Sequence, residues 1–332
     1  MLKRRDVMLV CLMTTAVVPA IGEQVDSSCK TVGSTMRVPE LPEASGLAAS
    51  RVTQGRLWAH NDSGKPEIFA LGANGKVTGR VTLSGATLTD WEAMASGPCA
   101  TGTCLYIADI GDNTAARKEI VVYRVPEPEK AGGSAPVNGV FRASYPDGAH
   151  DAEALLAAPD GTLYIVTKGD TGHIALYRFP RDMREGQLLR LERVGNPLSS
   201  GKPADDARIT DGTISPDGQS VVLRTGTALM FYRASDFLKG DFRNPRRVDL
   251  KALAEPQGEA VAFGSANTVY VAGEGGGKSH PGHTSIAPRE WVGFAGSASP
   301  ANPLPARAFA TSLPPAGANA RRGAYFTAYA YC

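Results

Sequence analysis

The sequence predicts an all-β ring, a β-propeller of five blades with four antiparallel strands in each. Three observations lead there. A short opening motif returns five times, at Glu43-Ala44-Ser45-Gly46, Asp90-Trp91-Glu92-Ala93, Asp151-Ala152-Glu153-Ala154, Thr210-Asp211-Gly212-Thr213 and Gln257-Gly258-Glu259-Ala260. A period of roughly 50 residues marks a repeat architecture. Each copy is followed by short β-type runs bounded by turn residues, and no long stretch shows helical periodicity.

The second run of each repeat reads Arg56 to His60, Leu105 to Asp109, Leu163 to Thr167, Val221 to Thr225 and Val269 to Gly273. These are β-branched and aromatic clusters. Two of the preceding turns are written Pro159-Asp160-Gly161 and Pro216-Asp217-Gly218, residues that favour tight reversal. Third strands are expected at 67–71, 120–125, 174–179 and 228–233, and fourth strands at 77–83, 140–144, 188–194 and 246–250. Four short strands repeated radially describe a propeller. The last repeat lacks an outer strand, which Thr35 to Val38 is expected to supply. Six blades is the competing count, if the tail adds a degenerate one.

The ends of the chain differ from the middle. Lys3, Arg4 and Arg5 precede an apolar run from Val7 to Ile21, the layout of a cleaved secretory leader over 1–22. That run is short for a membrane span, which takes roughly 20 apolar residues. The expected location is secreted or periplasmic, with no span after cleavage. The propeller is assigned to 29–287. From 288 to 332 the composition turns to Ala, Pro, Gly and Ser, typical of a loose tail; a strand over 325–331 is the alternative there. Of five cysteines, the leader removes Cys11. Cys99 and Cys104 are expected to close a hairpin as a disulfide; a bridge from Cys29 to Cys332 is left open. The net charge of +2 gives no footprint for nucleic acid. A monomer is expected, with a small anionic substrate or a protein as partner.

Aligning the opening motifs puts Glu92, Glu153 and Glu259 in one column with Gly46 and Gly212. First strands line the channel of a propeller, so three carboxylates converge on the axis and two backbones face them. Crowded carboxylates repel unless a cation or raised pKa values relieve them. An all-oxygen set suits a hard cation, Ca²⁺ above all. The bland alternative is that the glutamates cap backbone N–H groups. Asp90 and Asp151, two residues earlier, are candidate outer partners. The same mouth receives the ends of the second strands. There His60, Asp62, Asp109 and Asp112 are candidate general bases, and Lys168, Arg224 and Glu274 candidate substrate contacts. Loop ion pairing is the plain reading of each. Ala272 to Ser279 nearly spells a phosphate-binding loop, but His280-Pro281-Gly282 follows where a helix has to open, so it is read as a glycine-rich turn.

Ser45-Gly46-Leu47, Leu57 to Gly64, Asp90 to Ala95, Ala108 to Asn113, Asp151 to Ala154 and Gln257 to Ala260 resemble a group of exported bacterial β-propellers of unassigned function, over roughly 39–278. The axial column also resembles the site pattern of the calcium-dependent five-bladed apyrases. That resemblance implies one Ca²⁺ held by Glu92, Glu153 and Glu259 with backbone oxygens from the Gly46 and Gly212 strands, orienting a phosphate. It points to an exported calcium-dependent hydrolase of phosphoesters or similar anions. A non-enzymatic binding or scaffold propeller, and a glycosidase-like hydrolase with paired carboxylates at the mouth, are the alternatives.

Overall fold

The computed structural model describes residues 31–100, 102–170, 174–197, 207–264, 268–274 and 324–330. The leader, Cys29, Cys332 and residues 275–323 lie outside these, with most of the glycine-rich turn. Five small sheets form a ring, so the chain is a five-bladed β-propeller. No helix among the described residues is long and apolar enough to cross a membrane.

The chain opens with β1 (Thr31–Val38) and returns to it last. The first blade is β2 (Ala44–Ala49), β3 (Arg56–Asn61), β4 (Glu67–Gly72) and β5 (Val77–Ser84). The second begins with β6 (Trp91–Cys99), β7 (Gly102–Asp109) and β8 (Ile120–Pro126). The chain then steps back, and β9 (Gly132–Pro136) adds to the first blade, parallel to β5. The strand β10 (Gly139–Ser144) completes the second blade. The third holds β11 (Ala152–Ala157), β12 (Leu163–Thr167) and β13 (Leu176–Arg178). Next β14 (Leu188–Arg190) joins the second blade parallel to β10, and β15 (Glu192–Gly195) pairs with β13. The fourth blade is β16 (Ile209–Ile214), β17 (Ser220–Thr225), β18 (Ala228–Arg233) and β19 (Arg246–Asp249), with one helical turn, α1 (Ala234–Phe237), between the last two. The fifth is β20 (Gln257–Phe263), β21 (Thr268–Glu274) and β22 (Ala324–Ala330), with β1 outermost.

The ring therefore closes as expected, by the first strand joining the last blade. The third strand of that blade comes from the Ala/Pro-rich tail. The single strand expected over 188–194 is divided at Leu191 between two blades. Neither parallel addition is written in the sequence pattern, because β9 is Gly-Gly-Ser-Ala-Pro and carries no apolar run.

Burial explains why the middle strands read as continuous apolar runs. Successive side chains of a strand face opposite sides, and here both sides are covered by a neighbouring blade. Thus Leu105 and Ile107 pack with Trp58 and Trp91 between the first and second blades, while Tyr106 and Ala108 pack with Phe141 and Tyr177 between the second and third. Strand β12 alternates in the same way, Leu163 and Ile165 to one seam and Tyr164 and Val166 to the next. The turns follow their residues: Gly161 and Gly218 take φ of +83° and +70°, and Asp160 Oδ1 accepts the Thr162 N–H at 3.0 Å.

Cys99 and Cys104 form the disulfide expected across the β6–β7 turn, with Cα atoms 5.8 Å apart. The closed loop is short, so the bond is expected to contribute about 2 kcal/mol by the chain-entropy relation. Urea unfolding of the Cys99→Ala/Cys104→Ala protein checks this; a loss above about 4 kcal/mol would show that the bridge does more than shorten the unfolded chain.

Candidate functional site

Every inner strand carries one irregularity near its start. Pairing with the next strand skips a single residue: Ser45 in β2, Glu92 in β6, Glu153 in β11, Thr210 in β16 and Glu259 in β20. A bulge of this kind re-aims a side chain and often sits beside a site. The structural column is therefore Ser45, Glu92, Glu153, Thr210 and Glu259, all buried. Gly46 and Gly212 do not belong to it. Gly46 lies one residue past the bulge, opposite His60, and Gly212 two past it, opposite Leu223. Their missing side chains answer to packing. A Cβ at Gly46 would run into the His60 ring, and one at Gly212 would stand 2.7 Å from Leu223 Cδ2 and 3.2 Å from Leu156 Cδ2.

The three glutamates meet a crowd of other acids. Glu92 and Glu153 hydrogen-bond to each other through their carboxyls. The Ser45 hydroxyl lies 2.8 Å from both the carbonyl oxygen and Oε2 of Glu92. The Lys168 ammonium caps Glu153 and stands 3.7 Å from Asp151 Oδ2. Gln257 donates to Glu259. Burial, then the charge of Glu153, pushes Glu92 well above the usual carboxylate range. Burial raises Glu153 to about 8, partly offset by Lys168. Burial and Glu274 bring Glu259 to about 7; burial and Asp62 bring Glu274 to about 7. Asp62 rises to about 6 through burial, Glu43 and Asp90. Asp90 and Asp151 are raised as well, mainly by burial. Among the described residues, one ammonium thus serves a basin of seven carboxyls, with the guanidiniums of Arg117 and Arg224 acting on Asp90 and Glu259 from its edges.

These shifts fix the sign of a pH effect. A group whose folded pKa is raised takes up a proton on folding, so its stabilising contribution is complete below the unfolded value and fades as pH rises through the folded one. For Glu153, Glu259 and Glu274 that loss runs from the ordinary value of 4.5 up to about 7 to 8. His60 is held down to about 4 by burial, so its contribution is present above about 6.5 and is lost as pH falls through about 4. Without added metal, these groups are expected to raise the melting midpoint as pH drops from about 8.5 to about 6.5, with His60 offsetting only one proton's worth of the gain at lower pH. A midpoint that climbs steadily with pH across that window contradicts the arrangement.

The other expected site residues separate into two groups. Asp62, Lys168 and Glu274 reach the basin, and the Asp62 Oδ1 atom is buried without a hydrogen-bond partner among the described residues. Asp109, Asp112, His60 and Arg224 are committed elsewhere. Asp109 accepts the Thr89 N–H at 3.0 Å and pairs with Arg117 at 2.8 Å. Asp112 accepts the Ala116 and Arg117 N–H groups at 3.0 and 2.7 Å, folding its own loop. His60 is fully buried, edge-on to Trp91 with ring centroids 5.5 Å apart. A neutral interior ring is a poor acceptor of a substrate proton. Arg224 is completely buried, its Nη1 donating to the carbonyls of Ala260 and Ala272 at 2.6 and 2.8 Å and its Nη2 to Glu255 at 2.5 Å. It ties the fourth blade to the fifth.

Sequence reasoning passed over three groups. Ser45 and Thr210 complete the column; counting back from the Pro-Asp-Gly turns, rather than aligning the glycines, finds Thr210. Asp211 is buried with Oδ2 accepting the Val261 N–H and Oδ1 the Gly212 N–H, each at 2.7 Å, a second link between the fourth and fifth blades. Beside the mouth, His150 lies 3.1 Å from Asp147 and 2.9 Å from the Tyr177 hydroxyl.

The donor chemistry of the column, carboxyl and hydroxyl oxygens only, suits a hard cation. Its spacing is another matter: among the described residues no three His, Cys, Asp or Glu side chains gather as a ready metal cage. The Lys168 ammonium occupies the position beside Glu153 that such an ion would share.

No family model and no curated protein matches the chain. Solved structures do. Hydrazine synthase of Kuenenia stuttgartiensis is 17% identical over 70% of this chain, with a TM-score of 0.39; the match takes in 56% of that chain, so this protein spans little more than half its length. The PQQ-bound aldose sugar dehydrogenase of Streptomyces coelicolor is 13% identical over 77% of this chain and 97% of its own, with a TM-score of 0.44. The gluconolactonase of Xanthomonas campestris is 14% identical over 72% and 86%, with a TM-score of 0.39. At such scores these neighbours carry no argument about activity.

Proposed function

We propose that the chain is an exported hydrolase of phosphoesters or similar anionic substrates, working at the carboxylate mouth with Ca²⁺. The observation behind this reading is the bulge column, which brings three buried glutamates from three blades to one basin where, among the described residues, a single ammonium faces seven carboxyls. Such an excess of buried acid is unfavourable unless protons or a cation neutralise it. Glu92, Glu153 and Glu259 would hold the ion, with Ser45 and Thr210 offering oxygens from the other two blades. Bound there, Ca²⁺ would neutralise the glutamates and polarise an oxygen of the substrate. The chain's own groups supply the rest. Lys168, released from Glu153, is placed to grip the anion. Asp62 and Glu274, with pKa values brought to about 6 and about 7, are matched to taking a proton from water near neutral pH.

A second reading has its own support. The Lys168 ammonium already caps Glu153, and the acids form no cage. On that reading Lys168 is the resident cation and the propeller is a binding scaffold.

One experiment separates them. The mature protein is melted in EDTA and in Ca²⁺, beside Glu92→Gln, Glu153→Gln and Glu259→Gln, and then assayed against p-nitrophenyl phosphate and nucleoside triphosphates. Ca²⁺ at 100 times its Kd stabilises by about 2.7 kcal/mol, and each substitution is expected to remove that gain along with turnover. Stabilisation without turnover of any phosphoester sinks the hydrolase and leaves a calcium-binding propeller. A midpoint indifferent to Ca²⁺, with the variants folding normally, establishes the ammonium-filled scaffold instead.

A further inference from the structure

We propose that the mouth opposite the carboxylate basin binds a small carboxylate with an aromatic or branched apolar body. The inner strands end there, and a cavity of about 530 Å³ lies among four of the five blades. Its size falls in the range of small-molecule sites, roughly 300–1,000 Å³. Ala48, Leu57, Ile214, Phe263 and Tyr270 make the apolar part of its walls. Val52 also lines it, and at 48% exposure it is one of only two large hydrophobic side chains left open among the described residues. An apolar body seated in the cavity would cover it.

Among the polar groups of this cavity, Ser96 and Arg51 point to an anion. Ser96 lines it, and its hydroxyl is buried with no hydrogen-bond partner among the described residues. Buried hydroxyls are almost always paired, so an unpaired one is a vacancy for a ligand atom or a water. Two arginines stand at the cavity, and only one is committed. Arg56 donates to the carbonyls of Pro128 and Glu129 at 3.2 and 2.8 Å and lies over the Trp58 ring. Arg51 has no side-chain hydrogen bond among the described residues. Its neighbour Glu127 faces it through charge alone, having its oxygens occupied by the Ser50 hydroxyl, the Arg51 backbone N–H and Trp58 Nε1. These bonds fix the loop that carries Arg51 and leave the guanidinium fork open. A planar fork with several free donors matches a carboxylate. The cavity thus offers the open Arg51 cation, the unpaired Ser96 hydroxyl and an apolar floor, with Gln54 and Thr213 also on its lining.

The probes are 2-naphthoate and its neutral counterpart 2-naphthalenemethanol, titrated calorimetrically into the full chain. The acid is expected to bind more tightly than the alcohol. Arg51→Met, which keeps the stem and all three bonds to Glu127, is expected to weaken the acid about tenfold and to erase its advantage over the alcohol. Ser96→Leu fills the cavity and is expected to abolish both. Lys168→Met, at the far mouth, is expected to leave both affinities unchanged. Because Arg51 is at the surface, its variant tests the idea even if Ser96→Leu fails to fold. No binding of the acid, equal binding in the Arg51 variant, or loss of binding in the Lys168 variant each overturns the proposal; the last would place the anion among the axial acids.

Discussion

Arg224→Met is expected to lower the unfolding free energy by about 3–5 kcal/mol, the range for breaking a buried ion pair on one side. Its guanidinium is wholly buried and its partner Glu255 almost so, with side-chain exposures of 0% and 3%. Removing it strands the Glu255 charge and leaves the carbonyls of Ala260 and Ala272 without these donors. At roughly 2–4 °C per kcal/mol for a chain of this size, the midpoint should fall by about 10 °C. Adding Glu255→Gln to the same protein should recover part of the loss, since the stranded charge is then gone. Urea melts of the single and double variants decide it. A single variant that folds with wild-type stability, yet loses affinity for an anionic substrate, would return Arg224 to the role its position in the sequence suggests.

The second large effect is expected from the closing strand. Deleting residues 324–332 removes β22, which pairs with β21 on one side and β1 on the other. Two strand edges are then unpaired, and open edges recruit other chains. The shortened protein should appear as soluble aggregate or inclusion material, where the full chain elutes as one species by size exclusion. Phe326→Ala is the graded version. Phe326 is 3% exposed and stacks on Tyr270 with centroids 5.6 Å apart, so its loss should cost about 3–5 kcal/mol while the ring stays closed. A truncated chain that remains monomeric and melts near the wild-type midpoint would show that the remaining blades hold without closure.

What the sequence revealed and what it hid follow one physical line. Strands, ring and closure by the first strand were legible because each depends on local pattern: alternate residues feeding two seams, and Pro-Asp-Gly turns whose glycines take positive φ. The acidic column was half legible. Glu92, Glu153 and Glu259 share a motif, but a bulge changes pairing without changing composition, so Gly46 and Gly212 drew attention from their neighbours Ser45 and Thr210. Burial at the strand ends was not legible. Arg224 reads like any strand-end cation, and only Gly258 on the next blade, where a side chain would collide with the guanidinium, makes room for it inside. His60 likewise depends on Gly46 and Trp91. The strand exchanges of β9 and β14 were not legible, since each adds backbone and a single buried side chain, Ala135 and Leu189, to a neighbouring blade.

The pairing of Thr31 with Tyr329 in the outermost pair of the fifth blade has a consequence for how the molecule can be presented. The start of β1 and the finish of β22 lie side by side, at the face away from Lys168 and its acids. The chain enters β1 and leaves β22 at that face, so a tether fixed at Thr31 or Ala330 would depart from it. A molecule held by those two strand ends would therefore turn its acidic mouth outward, toward whatever diffuses past.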